Sequence, residues 1–438
     1  MWYIFKNTWK AIWSNKVHFF SLFLLIIASL SVSWGVLSAN SGLNQSFDKF
    51  KTQSNPSQFS IDLNSSVTFF KSPPNNIDNV EHFTKQLTSD LKKENLKIDL
   101  SYRDERLFPY HESLLLAIGY APGYHFSWGD NNAVDTIIHT SENQDFSNLK
   151  KDQILTEGNF SSANNWDINN QLTNLFGEKS IYKVVGHATS FDFSYPLLSP
   201  INMVASTSSN GIIFVSPEAL YNVNPSEARL NVSSSADRQQ LLLVRFHDPS
   251  NYTETNLNKV KDVLKDIYSN SEEFIAPSDT KYYGIRSDYY NNAFFQERIN
   301  SYHSFMKFEV IATHFLSYLI IIVTCFVVAA VTRKRIEADQ DNILIFKALG
   351  YKKSWVNFIY SIYPLIFSLF CFLIALFISY GFQSLIYKIF ISMFTIPLIT
   401  ISFSYISFIV NIALITIIFI LVAFVSTSLT LRKIRKGV

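Results

Sequence analysis

The chain has 438 residues, of which 48% are hydrophobic and only 16% charged, and its net charge is +2. That balance is too apolar and too poor in charge for an ordinary soluble protein, and without a dense basic patch it excludes nucleic acid as an expected partner. The apolar residues collect near the N-terminus and over the last third, so the sequence predicts an integral membrane protein with one large soluble domain. Both cysteines, Cys325 and Cys371, fall in apolar runs; the soluble domain therefore has no disulfide and depends on its own core.

Residues 1–16 place Trp2, Phe5, Trp9 and Ile12 on one helical face, with Lys6 and Lys10 on the other. This pattern predicts an amphipathic helix lying in the cytoplasmic interface. A membrane helix needs about 20 apolar residues, and residues 17–39 supply the first. The length of this run, and Leu37 three places before a cut after Ala39, argue against a cleaved signal peptide. Within it, Ser31, Gly35 and Ala39 recur every fourth residue, a spacing of small side chains that lets helices pack closely. The stripe is a candidate seam, either between two subunits or between helices of one chain.

Residues 40–308 read as an extracytoplasmic α+β domain on helical stalks. The first span lacks a strong breaker as far as Phe50. Strands are expected at 58–63 and 67–70, a helix from Asp78 to Lys93 with Val80, Phe83 and Leu87 on one face, and a strand at 97–102. A looser region with many turn signals runs from 107 to 208, with short strands at 135–139, 181–185 and 191–193. Strands at 212–215 and 240–246 follow. A helix capped by Thr253 or Thr255 then runs to Tyr268, and helical pattern resumes from Asp288 into the second span.

Three further spans are predicted, giving four transmembrane helices in all: residues 309–332, 354–381 with a kink at Pro364, and 401–431. Residues 382–400, which hold Lys388 and Pro397, read as an outer connection. Basic residues precede the first span, fill the loop at 333–353, and form the tail at 432–438. With four spans all three groups share one side. Both termini are then cytoplasmic and residues 40–308 extracellular, in a multi-pass cell-membrane protein.

The loop at 333–353 contains Asn342-Ile-Leu-Ile-Phe-Lys-Ala-Leu-Gly350. Asp341 is placed to cap a short helix and Gly350 to end it in the left-handed conformation. Ile345 and Leu349 share a face, with Phe346 at its edge. Such a helix needs an apolar groove on a partner or the membrane surface, and the pattern alone does not choose.

Catalytic signatures are missing. There is no phosphate-binding Gly-x-x-x-x-Gly-Lys-Ser/Thr, no His-Glu-x-x-His and no Gly-x-Ser-x-Gly. His111, Glu112 and His125 lack a standard ligand spacing, so no metal is expected. In the spans, His314 and Asn411 are the polar exceptions, and Asn411 is placed to hydrogen-bond between helices.

Together these features resemble the FtsX/MacB permease family. Ile343, Lys347, Ala348, Leu349 and Gly350 match that family's Glu-Ile-x-x-Leu-Lys/Arg-Ala-Leu/Ile-Gly segment before the third span, with Asn342 in place of Glu. Ile154-Leu-Thr-Glu-Gly-Asn159 resembles the Leu-x-Glu-Gly-Arg turn of the MacB-like periplasmic domain, with Asn159 in place of Arg, and Tyr182 to Gly186 resembles the strand after it. The resemblance implies a permease subunit that pairs with a second copy or homologue and with a cytoplasmic ABC ATPase. That ATPase binds the ATP and Mg, so this chain needs no cofactor and is not itself an enzyme. Ile343, Ile345, Phe346, Lys347, Ala348, Leu349 and Gly350 would form the coupling helix that docks on it. Motion would pass to the extracytoplasmic domain to export or extract a peptide-like or lipid-associated substrate, with membrane lipid in contact. The same architecture also suits a signalling or regulatory subunit that controls a cell-wall enzyme or senses a ligand without transport.

Overall fold

The computed structural model describes residues 16–63, 77–119, 134–140, 149–176, 180–198, 206–216, 219–220, 238–270, 274, 276–277, 280–290, 293–397 and 405–436. The expected interfacial helix at 1–15, the strand at 67–70 and His125 lie outside these residues. The chain divides into two compact units. One comprises Gln45–Ser304 with Ile389–Ile399, and the other Met1–Asn44, Phe305–Lys388 and Thr400–Val438.

Along the chain, helix α1 (Lys16–Ser54) leads to strand β1 (Phe59–Asp62), α2 (Ile77–Lys93), β2 (Ile98–Tyr110) and β3 (Ser113–Gly119). Next come β4 (Ile138–His139), β5 (Gln153–Thr156), α3 (Gly158–Asn164), β6 (Gln171–Thr173), β7 (Ile181–Thr189) and β8 (Asn210–Val215). β9 (Arg238–Phe246), α4 (Glu254–Asn270) and β10 (Ile285–Arg286) complete the sheet unit. The later helices are α5 (Ala293–Ala338), α6 (Gln340–Ala348), α7 (Lys353–Ser361), α8 (Tyr363–Ile391) and α9 (Tyr405–Lys436).

The described strands form a mixed sheet in the order β10-β1-β9-β2-β3-β8-β5-β7-β4, with β6 on β7. Its first four strands are two interlocked split β-α-β units, β1-α2-β2 and β9-α4-β10, each with a strand of the other inserted between its own. Val244 of β9 pairs with Phe59 on one side and Leu100 on the other. α2 and α4 cover this part through Val80, Phe83, Leu87, Leu257, Val260 and Leu264. Thr253 caps α4, its Oγ1 accepting from the Asn256 N–H at 3.3 Å. Everything from β3 to β8 is an insertion between β2 and β9. In β8, Ile212 and Phe214 point into one core, and Ile213 and Val215 into another. The period of two on a sheet buried on both faces explains that unbroken apolar run.

Two strand readings need correction. Phe191–Phe193 is a turn of 3-10 helix, not a strand. β2 continues eight residues past the expected end at Tyr102 and folds back as a hairpin through His111 and Glu112 into β3. The run Arg103-Asp-Glu-Arg106 lies beyond the expected end of that strand, yet all four residues are buried. Arg103 pairs with Asp135, with Asp192 at 3.0 Å and with Glu105 at 3.3 Å. Asp135 also accepts from the Phe191 N–H, and Asp192 from the Ser57 hydroxyl. Buried charges persist only when paired and hydrogen-bonded in this way. Beside this cluster the Asp135 and Thr136 N–H groups donate to Asn55 O and Ser54 O, at 2.8 and 2.7 Å, so the end of α1 is hydrogen-bonded into the sheet unit.

Among the described residues, four helices are long and apolar enough to cross a membrane, at Phe20–Ser54, Ser301–Ala338, Leu373–Ile391 and Ile409–Lys433. The chain is a multi-pass membrane protein. As expected, α1 stays helical well beyond Ala39. The expected kink at Pro364 is a break between α7 and α8. Reading all of 382–400 as a connection was wrong: α8 continues to Ile391, because Lys388 sits favourably in its last turn and Pro397 comes only after its end. α1 is the most buried of the four helices in the helical unit. Its Ser29 hydroxyl meets Thr324 of α5 at 2.8 Å, its Ser31 carbonyl accepts from Ser379 of α8 at 3.1 Å, and Ser33 accepts from Asn411 of α9 at 3.2 Å. Asn411 is thus the interhelical donor its position suggests.

Candidate functional site

α6 follows α5 after a single residue. Asp339 N–H donates to Arg335 O and its carbonyl accepts from Ile343 N–H, both at 3.0 Å, so the i to i−4 bonding runs on across Asp339. The expected cap at Asp341 is not where the helix starts: Asp341 lies in the first turn, where its charge suits the positive end of the helix dipole. At the other end Gly350 has φ +81°, and Tyr351 N–H donates to Phe346 O at 3.1 Å. This is the left-handed stop that a residue without Cβ adopts at little cost.

The residues singled out in the sequence divide between two faces. Ile343 is fully buried with Ile336 of α5, Val356 and Tyr360 of α7 and Leu431 of α9, and Phe346 packs half-buried against the same cluster. Ile345 is 56% exposed and Leu349 69% exposed, and Leu344, Ala348 and Tyr351 are exposed with them. Lys347 belongs to the same helix. One apolar face is therefore used within the chain, and the other is open.

The covered face is braced by residues that were read only as topology signals or span filler. Arg335 is buried, its guanidinium 5.2 Å from the Tyr360 ring and 5.7 Å from the Tyr363 ring. Such stacking holds a desolvated guanidinium in place. Tyr363 OH meets Thr332 Oγ1 at 2.8 Å and donates to Val328 O at 3.0 Å. In sequence Arg335 is one of the basic residues of the loop at 333–353. Nothing in the order Arg333-Lys-Arg335 distinguishes it from its exposed neighbour Arg333, which pairs with Glu337 at 2.8 Å.

Residues 314–434 match the family described as FtsX-like permease C-terminal. The chain carries an FtsX-like permease domain. The match takes in most of α5, all of α6, α7 and α8, and α9 almost to its end. Members of the family are transporter membrane subunits rather than ATPases, and they pair with an ABC ATPase. No curated protein matches the sequence.

In the permease unit Ser31, Gly35 and Ala39 are all buried. A Cβ on Gly35 would lie 3.0 Å from Phe382 Cβ and from Ser379 O, and Ser31 Oγ donates to Ala375 O at 3.2 Å. Ser31 and Gly35 of the stripe thus pack α1 on α8 of the same chain. His314 turns its Nδ1 to Val310 O in its own helix, at 2.6 Å.

The segment Ile154–Asn159 runs from β5 into α3. Glu157 caps α3, accepting from Asn159 N–H at 2.9 Å and Phe160 N–H at 2.7 Å. Burial raises its pKa from the ordinary 4.5 to about 7, against the two backbone bonds that favour the ionised form. Stability from the protonated carboxyl is full below 4.5 and is lost as pH rises through about 7, since the unfolded chain ionises first. Glu157→Gln should therefore gain on the wild type by up to about 3 kcal/mol between pH 4.5 and pH 8. Thermal unfolding of the full chain in detergent at the two pH values checks this. A difference between the two proteins that does not change with pH contradicts it.

Proposed function

We propose that the chain is the permease subunit of an ABC transporter, and that α6 is the coupling helix on which its ATPase docks. The observation that carries this reading is the division of α6 into a locked face, Ile343 and Phe346, and an open apolar face, Leu344, Ile345 and Leu349. An exposed apolar helix face rimmed by polar residues marks an interaction site, and a groove on the ATPase is the occupant that the family supplies.

The locked face makes α6 a lever rather than a tether. A displacement of α6 is shared at once by α5, α7 and α9 through the cluster around Ile343. α5 is one helix of 46 residues, a rod of roughly 70 Å at 1.5 Å per residue. The basic loop and both termini are cytoplasmic in this reading, and the sheet domain is extracytoplasmic. ATP and Mg bind to the ATPase and do no chemistry in this chain. A second copy or a homologue completes the transporter, and closure of two ATPases drives the sheet domains to export or extract a peptide-like or lipid-associated substrate.

Affinity purification of the tagged full chain in mild detergent tests the proposal. A bound P-loop ATPase with ATP-hydrolysing activity is expected. Its consistent absence overturns the reading.

A further inference from the structure

We propose that Ile389–Pro397 is a fixed strap of the sheet unit, through which the end of α8 is fastened to that unit. It goes beyond the docking of α6, and rests on that reading only for the source of the force that would act through it.

The segment groups with Gln45–Ser304 rather than with the rest of α8 and α9. Thr395 is buried and uses every polar group it has. Its N–H donates to Ser194 O at 2.8 Å, its hydroxyl donates to Phe193 O at 2.8 Å, and its carbonyl accepts from the Thr189 hydroxyl at 3.1 Å. Asn159 Nδ2 donates to Phe394 O at 3.1 Å. This is the side chain that stands where the family turn has Arg. Thr207 donates its N–H to Ser392 O and its hydroxyl to Ile391 O, both at 3.1 Å. Four separate places in the sheet unit thus hold one short segment, mostly through main-chain groups that would otherwise be buried without partners.

The same strap enters an aromatic cluster. Phe394 lies 5.3 Å from Tyr195, 5.9 Å from Tyr302 and 4.4 Å from Phe390. Tyr302 of α5 stacks on Phe47 of α1 at 3.7 Å, and Phe47 and Phe50 both contact Phe191. All of these rings but Tyr195 are almost wholly inaccessible. One cluster therefore grips residues of α1, α5 and the end of α8 together with Phe191 and Tyr195. α8 becomes a third direct drive on the sheet domain, beside α1 and α5.

Hydrogen exchange on the full chain in lipid nanodiscs, without any ATPase, tests this. Peptides covering 390–396 and 206–210 should exchange at least about 100-fold more slowly than an unstructured reference, as amides of a cooperative unit do. Thr395→Val, which keeps the shape and removes the hydroxyl bond to Phe193, should speed exchange in 390–396 at least tenfold while peptides of β2 and β9 stay unchanged. Adding Asn159→Ala should speed it further. A strap that exchanges within tenfold of the unstructured reference overturns the proposal, as does a Thr395→Val strap as slow as the wild type. Because no ATPase is present, failure to find a bound ATPase would sink the docking of α6 without altering this result.

Discussion

Aspartate at both Ile345 and Leu349 is expected to lower capture of the ATPase by the tagged chain at least about 100-fold, while membrane insertion and thermal stability stay near wild type. Both side chains are more than half exposed, and surface changes away from packed features usually shift stability by only about 0.5 kcal/mol. As apolar anchors in a partner groove, each would instead carry about 2 kcal/mol or more of binding, lost when a charge must be desolvated. Ile343→Asp makes the opposite pair of predictions. It puts a carboxylate among Ile336, Val356, Tyr360 and Leu431, so it should lower the thermal stability of the chain itself. A pull-down with a melting curve for each variant separates the two faces. Equal stability loss in both variants contradicts the division of α6 into locked and open faces.

Arg103→Met is expected to cost about 3–5 kcal/mol of stability, the range for removing one partner from a buried ion pair. Arg103 shares its guanidinium among Asp135, Asp192 and Glu105, and all four side chains are almost fully buried. Methionine fills similar space but leaves the carboxylates without that charge. On a domain of this size such a loss lowers the unfolding temperature by on the order of 10 °C. The damage reaches α1, because Asp135 and its neighbour Thr136 hold the carbonyls of Asn55 and Ser54. Arg333→Met, at a pair exposed on both sides, should shift stability by under about 0.5 kcal/mol. Differential scanning fluorimetry of the full chain measures both. A small effect at Arg103 would mean that the buried carboxylates find other partners.

What the sequence made legible follows from periodicity. The apolar runs gave the four long helices, the Val80-Phe83-Leu87 and Leu257-Val260-Leu264 faces gave α2 and α4, and Pro364 gave the break in the third span. Gly350 marked the end of α6 for a local steric reason. Three features depended on partners far away in sequence, and there local reasoning failed. Arg103 to Arg106 fall outside every expected strand because their pairing needs Asp135 and Asp192, contributed by distant segments. Lys388 and Pro397 make the 382–400 region read as an outer connection, and the acceptors that hold Thr395, the carbonyls of Ser194 and Phe193, lie about 200 positions earlier, beyond the reach of local pattern. The amphipathic pattern of α6 showed Ile345 and Leu349 but not that Ile343 belongs to the opposite face. That depends on where α7 and α9 pack, which a nine-residue helix does not reveal.

The central claim is that the open face of α6 seats in a groove of a P-loop ATPase. A photo-activated crosslinking residue placed singly at Ile345, Leu349 or Ile343 in living cells tests it most directly, with the crosslinked product identified by mass spectrometry. Positions 345 and 349 should each give one dominant adduct, to an ABC ATPase, and position 343 should crosslink only within the chain. Adducts at 345 and 349 that contain lipid alone would contradict the account.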